Sequence, residues 1–241
     1  MKKNILEHIK HCKQKGQKLM AVLLDPDKIS LDDILSKVNA INKTEVSFIF
    51  VGGSVVSNGI TDPFVKQIKK LTSIPVVLFP GDHSQLTEKA DAVLFLSLLS
   101  GRNPEFLIEQ QIKSVSFLKR SSLEIIPTGY LLIEGGVETS VQKVSKTTPI
   151  PQINLEEILN TSIAAEYLGK QIIYLEAGSG ATTPVDPKII RSVSENTDIP
   201  IIVGGGIRTK KQLENAFDNG ADVVVIGTAF ENNNNIFNTI V

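Results

Sequence analysis

Cysteine is nearly absent from this chain: Cys12 is the only one among 241 residues. A single thiol excludes an internal disulfide, so a reducing cytoplasm is the expected location. Surplus charge is missing as well. Lys and Arg number 25 against 26 Asp and Glu, a net charge of −1, which gives no electrostatic footing for nucleic acid or for strong attachment to an anionic membrane. Long hydrophobic runs are missing too: Ala92–Leu99 falls far short of the ~20 residues that span a bilayer. The start, Met1-Lys2-Lys3-Asn4, leads into a polar, amphipathic stretch rather than the apolar core of a signal peptide. No His, Cys, Asp and Glu cluster has zinc spacing, and neither a G-x-S-x-G elbow nor a P-loop occurs.

What is present is concentrated between Tyr174 and Phe230, which contains YLEAGSGA, IPIIVGGGIRT and GADVVVIGTAF. Each piece is a β-branched apolar run that stops at a glycine-rich turn and is followed by a polar, helix-like segment. That is the pattern of parallel strands buried on both faces. Glycines at such turns let the backbone approach a ligand and aim N–H groups at it, and the helix beyond adds its positive end. Three of these turns in succession predict one anion cradle, with a phosphate monoester as its expected occupant. The turns also have a bland reading, as chain reversals only.

The rest of the chain repeats the pattern. A helix is predicted over Lys3–Lys15, with His8 and His11 on its solvated side and Gly16 ending it. Strands are predicted at Leu19–Leu24, Ser47–Val51, Ile74–Phe79, Ala92–Leu99, Leu123–Ile133, Gln171–Leu175, Pro200–Val203 and Asp222–Ile226. Pro127 and Gly129 inside the fifth of these suggest a bend or bulge. Helices are predicted over Leu31–Ile41 with Ser30 as cap, Asp62–Leu71, Pro104 to about Arg120, Leu155–Leu168 with Asn154 as cap, Asp186–Glu195, Lys210–Asn219 and a last short one near Ile236–Ile240. The interval from Gly81 to Lys89 is short for a full barrel helix. Val137–Pro151 lacks periodicity, and whether it is a mobile loop over the site stays open. About eight strand-then-helix units without a linker predict a single domain spanning residues 1–241, a modified (β/α)8 TIM barrel with one helix reduced or replaced.

Phosphate loops after the last two strands are a recurrent barrel arrangement, and Gly204-Gly205-Gly206 and Gly227-Thr228 fit it. Asp25 closes the first strand, on the side where barrel catalytic groups lie; Asp25-Pro26-Asp27-Lys28 reads equally as a plain turn with a cap. Asp25 and Ser54 are hard oxygen donors at the tops of adjacent strands. They can share a Mg²⁺, which keeps several waters and prefers substrate phosphates.

Taken together, MAVLLDPDK, FIFVGGS, VLFPG, FLSLLSGRNP, PTGYLLIEGG, YLEAGSGA, VGGGIRT and GADVVVIGTAFE resemble the geranylgeranylglyceryl phosphate synthase family. Bacterial members are known as heptaprenylglyceryl phosphate synthases. The resemblance covers nearly the whole chain, and SLLSGRNP is similar to the larger-subunit group. It implies a barrel lacking one standard helix. It also implies a Mg²⁺-assisted transfer of a polyprenyl group, geranylgeranyl in the named activity, from its diphosphate to the C3 hydroxyl of sn-glycerol 1-phosphate. Asp25 and Ser54 match the family's metal positions, some members having Thr at the latter. Tyr174, Leu175, Glu176, Ala177, Gly178, Ser179 and Gly180, with Gly205, Gly206, Gly227 and Thr228, match its glycerol phosphate-binding stretches. Relatives form dimers or rings of dimers, so a homo-oligomer is expected, with transient membrane contact for product release.

Chemically, Asp25 would neutralise the leaving diphosphate through the metal, and Glu176 would take the proton of the glycerol hydroxyl. Tyr174 either hydrogen-bonds the glycerol or packs. Lys28 either assists the diphosphate or is an exposed lysine beside a turn. His83 has the same pair of readings. The prenyl chain needs an apolar trench, expected from strands two to four and the thinned helix layer after Gly81. Two other functions stay open: a phosphosugar isomerase or lyase on the same barrel, though Glu176 lacks an evident acid–base partner, and a non-catalytic phospholigand sensor, which would have no use for Asp25 and Ser54.

Overall fold

The computed structural model describes residues 4–233 and 236. Eight parallel strands close into a barrel in chain order, β1 pairing with β8 as well as β2. They are β1 Leu19–Leu24, β2 Phe48–Val51, β3 Val76–Leu78, β4 Ala92–Leu98, β5 Glu124–Leu132, β6 Ile172–Glu176, β7 Ile201–Gly204 and β8 Val223–Ile226. Alternation along each strand divides the apolar residues into two cores. One set, including Ala21, Phe50, Val77, Leu94, Tyr130, Tyr174 and Val225, fills the barrel. The other, including Val22, Val51, Leu78, Leu175 and Val203, packs outward beneath the helices.

Helix α1 (Ile5–Gln14) belongs to the inner core through Ile5, Ile9 and Cys12, so it closes the barrel at the end away from the glycine turns. Its first amides, on Ile5 and Leu6, donate to the Glu124 carboxylate at 2.6 and 2.9 Å, which satisfies donors that a helix start leaves unpaired. His8 and His11 are exposed, as expected. Helices α2 (Ile34–Ile41) and α3 (Thr61–Leu71) follow β1 and β2. Ser30 does not cap α2, which starts later than predicted; its hydroxyl accepts from the Asp33 amide in the preceding turn.

The helix expected to be reduced is replaced by a single 3-10 turn, His83–Gln85, between β3 and β4. The segment after β4 opens with a π-helical turn, Glu105–Glu109, and continues as α4 (Gln110–Leu118). One expectation fails here. β5 carries no bulge: its register against β4 runs unbroken from Ala92↔Glu124 to Leu98↔Tyr130. Gly129 serves packing instead, since a Cβ there would come 2.7 Å from the Ala165 Cβ of the covering helix. Val137–Pro151 is not structureless. It contains α5 (Ser140–Ser145), capped by Thr139, and is tied down by the Asn103 amide donating to the Ser145 carbonyl and by a bridge between Ile133 and Ile150.

The remaining helices are α6 (Leu155–Tyr167), α7 (Pro187–Asn196), α8 (Lys210–Asp218) and α9 (Thr228–Asn232). Asn154 caps α6 as read from the sequence, and Thr209 with Gln212 forms a capping box on α8. Helix α9 begins directly after Gly227 and was not anticipated; the helix expected near Ile236–Ile240 lies outside the described residues, Ile236 excepted. No helix among the described residues is long and apolar enough to cross a membrane.

The tight contact at Gly129 predicts that Gly129→Val destabilises the protein by about 2 kcal/mol, because overpacking a filled layer forces off-rotamer side chains or backbone shifts. Urea denaturation checks this, and an unchanged midpoint would show that α6 yields freely.

Candidate active site

A cavity of about 370 Å³ opens at the C-terminal ends of the strands and gathers most of the residues singled out in the sequence. Asp25, Lys28, Ser54, His83, Tyr174, Glu176, Gly178, Ser179, Gly180, Gly205, Gly206, Gly227 and Thr228 all line it. Leu175 and Ala177 do not. They alternate with Tyr174 and Glu176 along one extended segment, so their side chains point into the outer core beneath the helices and only their backbone belongs to the stretch that borders the cavity.

Glu176 is the last residue of β6, and its side chain is directed inward at the barrel mouth, 6% exposed, rather than solvated in a turn. Burial raises its carboxyl from 4.5 to about 7, against the pull of the Gly178 amide, which donates to Oε1 at 2.7 Å. Beside it the Tyr174 hydroxyl is buried next to the Glu176 carboxyl, while the ring stacks on Phe79 at 5.0 Å and a 4° angle. Burial, then the nearby Glu176, hold both Tyr174 and Tyr130 well above the ordinary tyrosine range, so both stay neutral. The sequence offered two roles for Tyr174, packing or bonding. The ring packs, and its buried hydroxyl is left beside the Glu176 carboxyl at the same space.

The glycine turns converge on that space. A Cβ on Gly204 would come 2.6 Å from both Glu176 Oε2 and the Tyr174 hydroxyl, and one on Gly205 2.6 Å from Glu176 Oε1. Gly205 and Gly206 also have φ of +82° and +74°, a region that L side chains avoid. Ala177 N–H is spent on the Gly204 carbonyl and Gly178 N–H on Glu176. The amides of Ser179, Gly180, Gly205 and Gly206 have no acceptor among the described residues, and they border a cavity. Such a nest suits an anion. The Ser179 and Thr228 hydroxyls meet at 3.3 Å across it, and Arg208, to which the sequence reading gave no role, adds a cation at its rim, donating to the Gly180 carbonyl at 3.4 Å.

Asp25 lies across the mouth. Its Oδ1 accepts from the Asp27 amide at 3.1 Å and its Oδ2 pairs with Lys28 Nζ at 3.2 Å. Both carboxylate oxygens would be 3.0 Å from a Cβ on Gly53, so the turn after β2 is shaped around them. Gln85, 2% exposed and unremarked in the sequence, holds that turn: its amide donates to the Gly53 carbonyl at 2.9 Å and its oxygen accepts from Gly81 N–H at 3.1 Å. Asp25 and Ser54 supply hard oxygens only, and no group of three His, Cys, Asp or Glu that could hold a metal occurs among the described residues. Such a set suits Mg²⁺ completed by water and phosphate oxygens, and it does not suit zinc.

The opposite half of the cavity is apolar. Leu86, Leu94, Leu96, Leu98, Phe106, Leu118, Val141 and Val144 line it. The trench expected from strands two to four is therefore built by the surroundings of β3, by β4, α4 and α5, with β2 contributing only its Gly52–Val55 turn. His83 borders it with Nδ1 2.9 Å from the Gln110 side-chain oxygen.

With this geometry the chain can be set beside known proteins. The PcrB family model matches residues 12–241. The chain belongs to the PcrB family. It is 52% identical over 238 residues to geranylgeranylglyceryl phosphate synthase of Flavobacterium johnsoniae, covering 98% of this chain and 97% of that one. It is 43% identical over 227 residues to the enzyme of that name from Thermococcus gammatolerans, covering 94% and 89%. The crystal structure of (S)-3-O-geranylgeranylglyceryl phosphate synthase from Thermoplasma acidophilum, in complex with substrate sn-glycerol-1-phosphate, superposes with a TM-score of 0.92 at 33% identity, covering 98% and 95%. This PcrB-family chain is thus an enzyme of the geranylgeranylglyceryl phosphate synthase type.

The raised Glu176 carboxyl has a measurable consequence. A folded pKa above the unfolded one stabilises the fold below about 4.5, and that contribution is lost as pH rises through about 7. At a pH of about 8.5, Glu176→Gln is expected to be more stable than the natural protein by up to roughly 3 kcal/mol, and near a pH of about 4 the gain should vanish. Chemical denaturation at both pH values decides it, and an equal difference at the two would refute the assigned environment.

Proposed function

We propose that this protein transfers a polyprenyl group, geranylgeranyl in the first instance, from its diphosphate to the C3 hydroxyl of sn-glycerol 1-phosphate, forming an ether and releasing pyrophosphate. The observation that carries the reading is the position of Glu176, a carboxyl held near neutrality where the anion nest meets the apolar trench. The names of the relatives support it, as does the glycerol phosphate in the Thermoplasma acidophilum complex.

On this reading the phosphate of the glycerol substrate sits on the amides of Ser179, Gly180, Gly205 and Gly206, with the Ser179 and Thr228 hydroxyls as further donors. Glu176 accepts the proton of the C3 hydroxyl as its oxygen bonds to the allylic carbon, and the bond from that carbon to the diphosphate breaks. Tyr174, neutral and beside Glu176, donates to the glycerol hydroxyls. The leaving diphosphate lies toward Asp25 and Ser54, which would hold Mg²⁺; when bound, that ion supplies Lewis-acid neutralisation of the leaving oxygens. The prenyl tail runs into the Leu86–Leu94–Phe106 trench, which keeps water from the reacting carbon. Most of the rate comes from holding two anionic substrates in line.

The same reading expects a homo-oligomer in the cytoplasm. Ile108, Ile112 and Val115 support the assembly, since they make an exposed apolar stripe at helical spacing.

The deciding experiment incubates the protein with sn-glycerol 1-phosphate, Mg²⁺ and a ladder of prenyl diphosphates, and extracts labelled lipid into organic solvent. Absence of product at every chain length would refute the transfer. Glu176→Gln should lower kcat by roughly 10²–10⁴-fold, and the acid limb of the natural protein's kcat/KM profile should fall near pH 7. Asp25→Asn, or removal of Mg²⁺ by chelation, should abolish turnover while glycerol phosphate still binds. A phospholigand sensor would show binding and no turnover in any of these forms.

A further inference from the structure

Lys28 touches both halves of the site. Its Nζ lies 3.2 Å from Asp25 Oδ2, 3.4 Å from Ser179 Oγ and 3.4 Å from Glu231 Oε2. These partners come from the turn after β1, the turn after β6 and helix α9. Ser179 in turn faces Thr228 in the anion nest. Glu231, its side chain only 8% exposed, is held in position because Lys37 grips the end of α9, donating to the Glu231 and Phe230 carbonyls at 2.6 and 3.3 Å. The Lys28 side chain itself is 47% exposed on a flexible four-carbon stem, so its ammonium can move a few ångströms at little cost.

We propose that Lys28 couples the two substrate half-sites: a divalent cation taking Asp25 Oδ2 releases the Lys28 ammonium toward Ser179 and Thr228, where it strengthens the hold on the glycerol phosphate dianion. This rests on the metal and phosphate assignments above and adds a relation between them. Asp25 Oδ1 is already engaged by the Asp27 amide, so Lys28 and a cation compete for the other oxygen. Glu231 keeps the released ammonium from swinging out to solvent, because it anchors Lys28 on the nest side. By linkage the coupling is reciprocal: metal raises affinity for glycerol phosphate by the same factor that glycerol phosphate raises affinity for metal.

The test is calorimetric titration of sn-glycerol 1-phosphate into the full chain with and without Mg²⁺, prenyl donor omitted so that nothing turns over. In the natural protein Mg²⁺ should tighten binding by about fivefold or more, the usual scale of such coupling. In Lys28→Met the Mg²⁺ effect should disappear while the melting temperature stays close to that of the natural protein, and Lys28→Arg should restore part of it. Asp25→Asn should also bind glycerol phosphate without a Mg²⁺ effect. The coupling is overturned if Lys28→Met keeps the full Mg²⁺ effect, if the effect survives in Asp25→Asn, or if the natural protein shows none. Prenyl transfer, assayed separately by lipid extraction, distinguishes the two readings: turnover without coupling removes only the role of Lys28, and absence of turnover removes the transferase reading itself.

Discussion

A carboxylate packed against bare backbone governs the mouth of this barrel. Glu176 lies so close to Gly204 and Gly205 that a methyl group on either would come 2.6 Å from one of its oxygens. The close approach excludes water from the carboxyl, and that desolvation is what lifts it to about 7. The same glycines leave the amides beyond them free to face an anion. The raised carboxyl and the open amide nest therefore share one structural cause, the absence of side chains where β6 meets β7. Thr139 presses in from the other side: a Cβ on Gly178 would come 2.2 Å from its methyl group, so the segment containing α5 is also fitted to these turns.

The apolar half of the site follows from what the barrel omits. Replacing a helix by the His83–Gln85 turn leaves Phe95 and Leu96 of β4 only partly buried, and α4 and α5 supply the far wall. An all-helical coat would bury those side chains. Gln85 makes the omission tolerable, because it satisfies backbone groups of Gly53 and Gly81 that a missing helix would otherwise leave loose. The turn it braces is the one that shapes the surroundings of Asp25, so the helix deletion and the setting of that carboxylate depend on the same side chain.

Charge at the mouth is arranged in pairs. Partial burial disfavours the Lys28 ammonium, but the Glu231 and Asp25 carboxylates outweigh this and keep it above its ordinary range. Glu231 is raised by burial and held back by Lys28. Two carboxylates sharing one lysine leave a surplus of negative charge on the Asp25 side, and the amide nest with Arg208 leaves positive potential on the other.

The sequence by itself determined the barrel, its strand order, the thinned helix layer after Gly81 and the convergence of the glycine turns. Those features are written in local periodicity: β-branched runs ending in glycine recur at regular intervals, and a parallel strand buried on both faces has little other composition open to it. Asp25, Ser54 and Glu176 were legible for the same reason, each following such a run. Tertiary structure decided what periodicity does not encode. It turned the side chains of Leu175 and Ala177 away from the cavity by strand alternation, and it kept β5 paired with β4 without a bulge, Gly129 serving contact with α6 instead. It folded Val137–Pro151 around a short helix whose capping threonine packs on Gly178. It also brought Gln85, Lys28 and Glu231 to their roles through contacts between residues far apart in the chain, for which no local pattern exists.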